Sequence, residues 1–182
     1  MKKMIAFILV ITISCSLCGC FAKMTPVEKF LLASKKMDIS AMREQVTPDE
    51  SAGSFYSKLE KVNLDEEALQ TLRDLYALVQ YTVGEVTSRG DSKTVSLTVK
   101  APEMERIRSL ATAQILVSGD SATEVIAGMI ADDSISKSMT KEYKLSVKMT
   151  ETGDTLKIPY GDKDNADFVK VLAIAEMIDF MT

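Results

Sequence analysis

The chain contains no histidine and no tryptophan in its 182 residues. Without histidine, neither a Ser-His-Asp nor a Cys-His catalytic triad can be formed. Zinc sites that use histidine as a ligand are excluded for the same reason. We therefore predict no catalytic residue, no metal site and no cofactor, and we favour a non-enzymatic protein over an enzyme.

Cysteine is also scarce, and its position is informative. The three cysteines are Cys15, Cys18 and Cys20, all at the N-terminus. If the segment before Cys20 is removed, one cysteine remains, so the rest of the chain cannot form an intramolecular disulfide. The fold must then be held together by its hydrophobic core.

The charge balance is acidic, with 22 lysines and arginines against 26 aspartates and glutamates. Two of those lysines, Lys2 and Lys3, precede Cys20, so the remainder is more acidic still. Nucleic-acid binding requires a basic patch or stripe, and no such stripe is present. The sequence therefore predicts no nucleic-acid partner.

The N-terminus has the organisation of a secretory signal. Lys2 and Lys3 precede an uncharged apolar run, Met4 to Ile13, which is shorter than the roughly 20 residues that span a bilayer. A short apolar run behind positive charges is typical of a signal peptide. The following residues, Leu17-Cys18-Gly19-Cys20, resemble the lipobox of bacterial lipoprotein precursors, in which an aliphatic residue and then a small residue precede the lipidated cysteine.

Cys20 fits this motif better than the other two cysteines. Cys15 has a threonine where the aliphatic residue belongs, and Cys18 directly follows the bulky Leu17. The resemblance implies that Cys20 carries at least two acyl chains, such as palmitate, and stable anchoring needs more than one. We therefore expect a lipid-anchored protein on the extracytoplasmic face of the cell membrane.

The expected organisation has three parts. Residues 1–19 are a lipoprotein signal peptide, residues 20–24 are the lipidated cysteine and a short tether, and residues 25–182 are a single domain. At about 3.5 Å per residue, the tether keeps the domain within roughly 20 Å of its anchor.

The first part of that domain is predicted to be helical. Thr25-Pro26-Val27-Glu28 is a capping box with proline at the first helical position, and it predicts a helix to about Lys36. Thr47-Pro48-Asp49-Glu50 repeats this signature and predicts a second helix start. Asn63, with Glu66 three residues later, predicts a third.

Four segments then alternate between apolar and polar residues, which is typical of strands. They run over residues 79–86, with a change of phase at Gly84 that predicts a β-bulge, and over 95–99, 143–149 and 156–160. Helical spacing returns between the two hairpins, and one last helix is expected from Asp164 or Asn165. This order predicts an α+β domain in which a curved antiparallel sheet of about four strands wraps against helices.

The two hairpins read YTVGEVTSRGDSKTVSLTVKAPEM and YKLSVKMTETGDTLKIPY. With helices before, between and after them, the chain resembles the nuclear-transport-factor-2-like lipoproteins of Gram-positive bacteria, in the cystatin-like superfamily. Family members commonly carry an aromatic residue where this chain has Leu156. The resemblance covers residues 25 to 178 and implies a cone-shaped domain with a pocket at its open end.

That fold occurs in both enzymes and binding proteins, so only the residues of the site can distinguish the two functions. A histidine–carboxylate pair, as in dehydratases of this fold, is impossible here. Tyr81, Tyr143 and Tyr160 fall on the apolar sides of their strands, and we interpret them as candidate pocket-wall residues. Asp132-Asp133 and the aspartates at 162, 164 and 167 lack the spacing of an EF-hand and are interpreted as helix caps and turns.

The favoured prediction is a membrane-anchored binding or accessory module with a small apolar pocket for a small molecule or a peptide. One alternative is a small enzyme in which an aspartate and tyrosines in that pocket act on an apolar substrate. The other is a scaffold that holds a protein partner on the outer face of the sheet.

Overall fold

The computed structural model describes residues 24–49 and 54–182. The predicted signal peptide, the lipobox from Leu17 to Cys20 and most of the tether lie outside the described residues. Among the described helices, none is long and apolar enough to cross a membrane.

Helices precede, separate and follow two β-hairpins, as the sequence predicts. The first group comprises α1 (Pro26–Lys36), α2 (Ile39–Gln45), α3 (Phe55–Lys61) and α4 (Glu66–Ala77). The first hairpin is β1 (Gln80–Arg89) with β2 (Ser92–Pro102), and α5 (Met104–Ser118), α6 (Ala122–Ala131) and α7 (Ser134–Ser138) follow it. The second is β3 (Thr140–Thr152) with β4 (Thr155–Lys157), and a 3₁₀ turn, Lys163–Asn165, leads to α8 (Ala166–Leu172) and α9 (Ile174–Met181).

The four strands form one antiparallel sheet in the order β1-β2-β3-β4, which confirms the predicted α+β class. Directly opposed residues of antiparallel strands share a face of the sheet. Val95, Leu97 and Val99 of β2 are buried opposite Val147, Leu145 and Tyr143 of β3. This inner face joins the helices in one hydrophobic core. Polar residues that alternate with these, such as Ser96 and Lys144, are exposed on the outer face.

The predicted bulge is confirmed. The register between β1 and β2 shifts between Val83 and Val86, on either side of Gly84. A methyl group at Gly84 would collide with the hydroxyl of Ser96 on the neighbouring strand. Any larger residue at this position would therefore force the Ser96 side chain to move, so the close approach of the two strands favours glycine.

The first capping box is confirmed atom by atom. The Thr25 hydroxyl accepts a hydrogen bond from the Glu28 amide at 3.2 Å, and the Glu28 carboxylate accepts one from the Thr25 amide at 2.7 Å. Ser121 and Glu124 make the same reciprocal pair at the start of α6.

Two predicted helix starts are wrong. The cap of α3 is Ser54 and not Thr47, because the backbone of Thr47 is used elsewhere: its amide donates to the Ile158 carbonyl at 2.9 Å. The cap of α4 is Asp65 and not Asn63, and its carboxylate accepts from the Ala68 amide at 2.8 Å.

The predicted last helix is two helices. Ala173 has a φ of 46° and a ψ of 36°, which is the left-handed conformation, and it separates α8 from α9. This conformation costs roughly 1–2 kcal/mol for a residue with a side chain. Next to this junction, the buried Tyr76 hydroxyl donates to the Leu172 carbonyl at 2.7 Å.

The side chain of Asn165 makes the backbone hydrogen bonds that a neighbouring strand would otherwise make with Lys148. Because β4 is paired with β3 only at residues 150–152, the backbone of Lys148 has no strand partner on that side within the described part of the chain. The fully buried Asn165 side chain accepts from the Lys148 amide at 2.8 Å and donates to the Lys148 carbonyl at 3.1 Å. It also donates to the Pro159 carbonyl at 3.0 Å, which fixes the 3₁₀ turn against β3.

Candidate functional site

An open groove lies at the end of the sheet where both hairpins turn. We call it the N-terminal groove because the first described residues form part of its wall. Its volume is about 820 Å³. It is lined by Met24, Thr25, Pro26, Lys29, Glu44, Gln45, Val86, Lys93, Met149, Glu151, Gly153, Asp154, Thr155, Leu156 and Lys157.

The local structure explains why the groove is there. Both hairpins turn through a glycine in the left-handed conformation, with φ values of 59° at Gly90 and 60° at Gly153. In an antiparallel sheet these two turns lie at the same end. Val86 opposes Val95 and so belongs to the inner face, yet it is 46% exposed. The helical core therefore stops short of the hairpin end, and the N-terminus of α1 and the end of α2 form the facing wall.

The lining combines apolar residues with charges of both signs. Met24, Pro26, Val86 and Leu156 supply apolar surface. Three lysines, at 29, 93 and 157, and three carboxylates, at 44, 151 and 154, complete the lining. A groove of this kind suits an amphipathic molecule, because apolar and charged parts both find matching surface.

Two of the predicted pocket-wall tyrosines lie together on the inner face. Tyr81 of β1 and Tyr143 of β3 both oppose Val99, one on each side. Burial raises the pKa of both phenols, and nearby carboxylates, Glu28 for Tyr81 and Glu103 for Tyr143, raise it further. Both therefore remain protonated at neutral pH.

Tyr143 lines a second groove, of about 850 Å³, which lies between β3, α5 and α8. Neither Tyr81 nor Tyr143 is among the residues that line the N-terminal groove.

Tyr160 belongs to an aromatic cluster that contains neither of the other two. Its ring stacks on Phe55 with a centroid distance of 3.7 Å and lies 5.5 Å from Phe30 and 6.2 Å from Phe168. Burial raises the pKa of Tyr160 well above its ordinary value, and the nearby Glu176 adds to this. The three tyrosines thus do not share one opening, and their role as pocket-wall residues stays a prediction.

The aspartates after β4 serve the local structure. Asp162 caps the 3₁₀ turn by accepting from the Asp164 amide at 3.0 Å. Lys148 forms ion pairs with Asp162 at 3.1 Å and with Asp164 at 2.9 Å. The Asp164 amide, and then Lys148, lower the pKa of Asp162. Within the described residues, no group of three or more acidic or cysteine side chains could hold a metal ion.

The charged residues of the N-terminal groove were not predicted from the sequence. Lys29, Glu44 and Lys157 belong to different elements and are brought together only by the tertiary fold. The sequence did contain one signal, namely the two glycine turns, which place both hairpin ends side by side.

Comparisons with known proteins do not assign a family. No protein-family model matches the chain, and no curated protein matches it. A crystal structure of ycdA, a candidate lipoprotein of Bacillus subtilis, aligns with 80% of this chain at 15% sequence identity and a TM-score of 0.35. The alignment covers 45% of that protein, so the present chain corresponds to less than half of its length.

Proposed function

We propose that this chain is a lipoprotein, anchored through Cys20 to the extracytoplasmic face of the cell membrane, and that residues 25–182 form a non-enzymatic binding module. The ligand we propose is an amphipathic small molecule, and its site is the N-terminal groove. One observation carries the proposal: Met24, Thr25 and Pro26 line the groove.

Those residues directly follow the proposed tether. Cys20 and Met24 are four positions apart, so an extended chain places the groove wall within roughly 14 Å of the lipidated cysteine. A site so close to the bilayer surface can exchange amphipathic molecules with the membrane. Met24, at 42% exposed, and Val86 supply apolar surface for such a molecule.

The composition of the groove supports binding rather than catalysis. Among the described residues that line it, none is histidine, cysteine or tyrosine. Its six charged side chains instead provide partners for a head group that carries both signs of charge.

The anchoring part of the proposal is tested by changing single cysteines. In a bacterium that matures lipoproteins, the wild-type chain should fractionate with membranes, and Cys20→Ala should be released or left unprocessed. Cys18→Ala is the matched control and should behave like the wild type. Membrane retention of a cleaved Cys20→Ala chain would refute anchoring through this residue.

The binding part is tested by native mass spectrometry of the full chain, extracted in mild detergent. The wild type should carry an amphipathic small molecule that Val86→Glu loses, because the new carboxylate would replace exposed apolar surface in the groove wall. Val117→Glu is the control, since Val117 is 90% exposed and lies outside the groove. A wild-type chain without a bound molecule, or a Val86→Glu chain that retains it, contradicts the proposal.

A second candidate is a protein-interaction scaffold, favoured by the open outer face of the sheet. Ser96, Lys100, Lys144 and Ser146 are all exposed there. A partner protein that is lost from Lys144→Glu and kept by Val86→Glu would favour this function over the groove.

A further inference from the structure

One edge of the sheet is open along half of β3. Residues 150–152 of this strand pair with β4, and the Asn165 side chain bonds to the backbone of Lys148 in place of a strand. Over residues 140–146, no strand lies on this side of β3 within the described part of the chain. We call residues 140–146 the β3 edge.

The alternation of the strand determines which backbone groups face this edge. The amide and the carbonyl of Lys148 bond to Asn165, so they point away from β2. In an antiparallel strand the backbone groups of every second residue point to the same side, and the register of β3 with β2 is unbroken along this stretch. The amides and carbonyls of Glu142, Lys144 and Ser146 therefore point to the open edge as well.

These backbone groups are available to another molecule. Among residues 24–49 and 54–182, none of them has a hydrogen-bond partner on that side. Glu142, Lys144 and Ser146 are exposed, and the second groove, of about 850 Å³, opens beside Glu142 and Lys144. Unlike β1, the β3 edge contains no bulge. An accessible and regular edge of this kind can pair with a strand from another molecule.

The charges on the outer face of the β3 edge complement one another in an antiparallel pair. If Glu142 lies opposite Lys144 of a second copy, then Lys144 lies opposite Glu142 of that copy, and directly opposed charges of opposite sign favour pairing. Moving one strand by two residues places either two glutamates or two lysines opposite each other, which disfavours pairing. A shift that brings Glu142 opposite Lys148 is blocked, because Asn165 already occupies the position beside Lys148.

The inner face fits the same register. Tyr143, which is half-buried, falls opposite Tyr143 of the second copy. Its own backbone groups point to β2, so the two tyrosines form a pair without mutual hydrogen bonds, in which side chains approach most closely. Aromatic pairs across strands favour pairing. Lys141 lies over the Tyr143 ring of its own chain, 5.6 Å from the centroid, and needs no partner from the second copy.

We propose that the β3 edge is the interface of a symmetric dimer, in which a second copy of this chain adds its own residues 140–146 as an antiparallel strand. The two-fold axis is perpendicular to the joined sheet, so the helices of both copies pack on the same side of it. This arrangement is compatible with anchoring of both copies to one membrane, but the interface does not depend on the proposed anchor. Each outer edge of the joined sheet is β1, whose bulge hinders further growth.

The test is co-purification of two copies that carry different affinity tags, produced together in one bacterium and extracted as full chains in mild detergent. Wild-type copies should co-purify. Two copies of Glu142→Lys, or two copies of Lys144→Glu, should associate roughly tenfold more weakly, because both pairs of opposite charges become pairs of like charge. A Glu142→Lys copy should co-purify with a Lys144→Glu copy, since opposite charges then face each other again.

Glu85→Lys is the matched control, because it makes the same reversal of charge at an exposed position of the other edge strand, and it should co-purify like the wild type. Ser146→Pro tests the backbone independently. Proline removes an amide that faces the open edge and leaves the hydrogen bonds to β2 intact. Ser146→Pro copies should therefore not co-purify, although their far-UV circular dichroism should match that of the wild type. Either kind of variant decides the question if the other does not fold.

Three results would overturn the proposal: wild-type copies that do not co-purify, folded Glu142→Lys and Lys144→Glu copies that fail to associate with each other, or Ser146→Pro copies that associate like the wild type. A chain that retains a different protein instead of a second copy, and loses that protein on Ser146→Pro, would assign the β3 edge to another partner and would also overturn it.

Discussion

The sharpest prediction for the fold concerns Asn165→Ala. The wild-type side chain makes three hydrogen bonds, to both backbone groups of Lys148 and to the Pro159 carbonyl. Each such bond contributes about 1 kcal/mol net, and an orphaned buried group costs at least as much. We expect a loss of about 3 kcal/mol in the free energy of unfolding. That is a large part of the roughly 5–15 kcal/mol that is typical of a whole domain.

The loss is measured by urea unfolding followed by far-UV circular dichroism. Asn63→Ala is the control, because the chain's other asparagine is exposed and a surface change of this kind stays within about 0.5 kcal/mol. Asn165→Asp keeps the acceptor for the Lys148 amide but removes both donors, so it should also destabilise. If Asn165→Ala and Asn63→Ala unfold at the same urea concentration, the side chain does not act as a substitute strand partner.

Two further predictions concern the C-terminal segment. Ala173→Gly should raise the free energy of unfolding by about 1 kcal/mol, because glycine adopts the left-handed conformation without strain. In the same urea assay, the control Ala113→Gly, in the exposed face of α5, should lower the free energy of unfolding by about 1 kcal/mol. If both variants change it equally, the reasoning is contradicted. The second prediction concerns pH. Because the pKa of Asp162 is lowered in the folded state, its contribution is present above the unfolded pKa and is lost as the pH falls through the folded pKa. When the pH is lowered from neutral to below 3.8, the ordinary pKa of an aspartate, the free energy of unfolding should therefore fall more for the wild type than for Asp162→Asn. Equal losses in the two proteins would argue against a stabilising role of the Asp162 carboxylate.

Local signals in the sequence predicted much of the fold. The capping box at Thr25 depends on residues only three positions apart. The bulge at Gly84 is visible as a break in the alternation of apolar and polar residues along one strand. Such features are largely set before tertiary packing intervenes. They are therefore the ones that the structure confirms.

The wrong predictions arise where a segment that is distant in sequence forms hydrogen bonds with the same backbone groups. Thr47 has a suitable capping sequence, but its amide pairs with Ile158, more than a hundred residues away. No local pattern marks Ala173 as the end of a helix, since alanine is the best helix former. The candidate site has the same origin: Lys29 of α1, Glu44 of α2 and Lys157 of β4 line one groove only because the tertiary fold brings these elements together.

The bulge at Gly84 also affects how copies of this chain can meet. In the described sheet β1 is an edge strand of ten residues, and an edge of that length can recruit a strand from another molecule. The bulge interrupts the regular spacing of its amides and carbonyls and twists the strand, so a second chain cannot stay in register along it. If Cys20 confines many copies to one membrane surface, their local concentration is high. Under those conditions, a single glycine helps to keep neighbouring domains from joining edge to edge into fibrils.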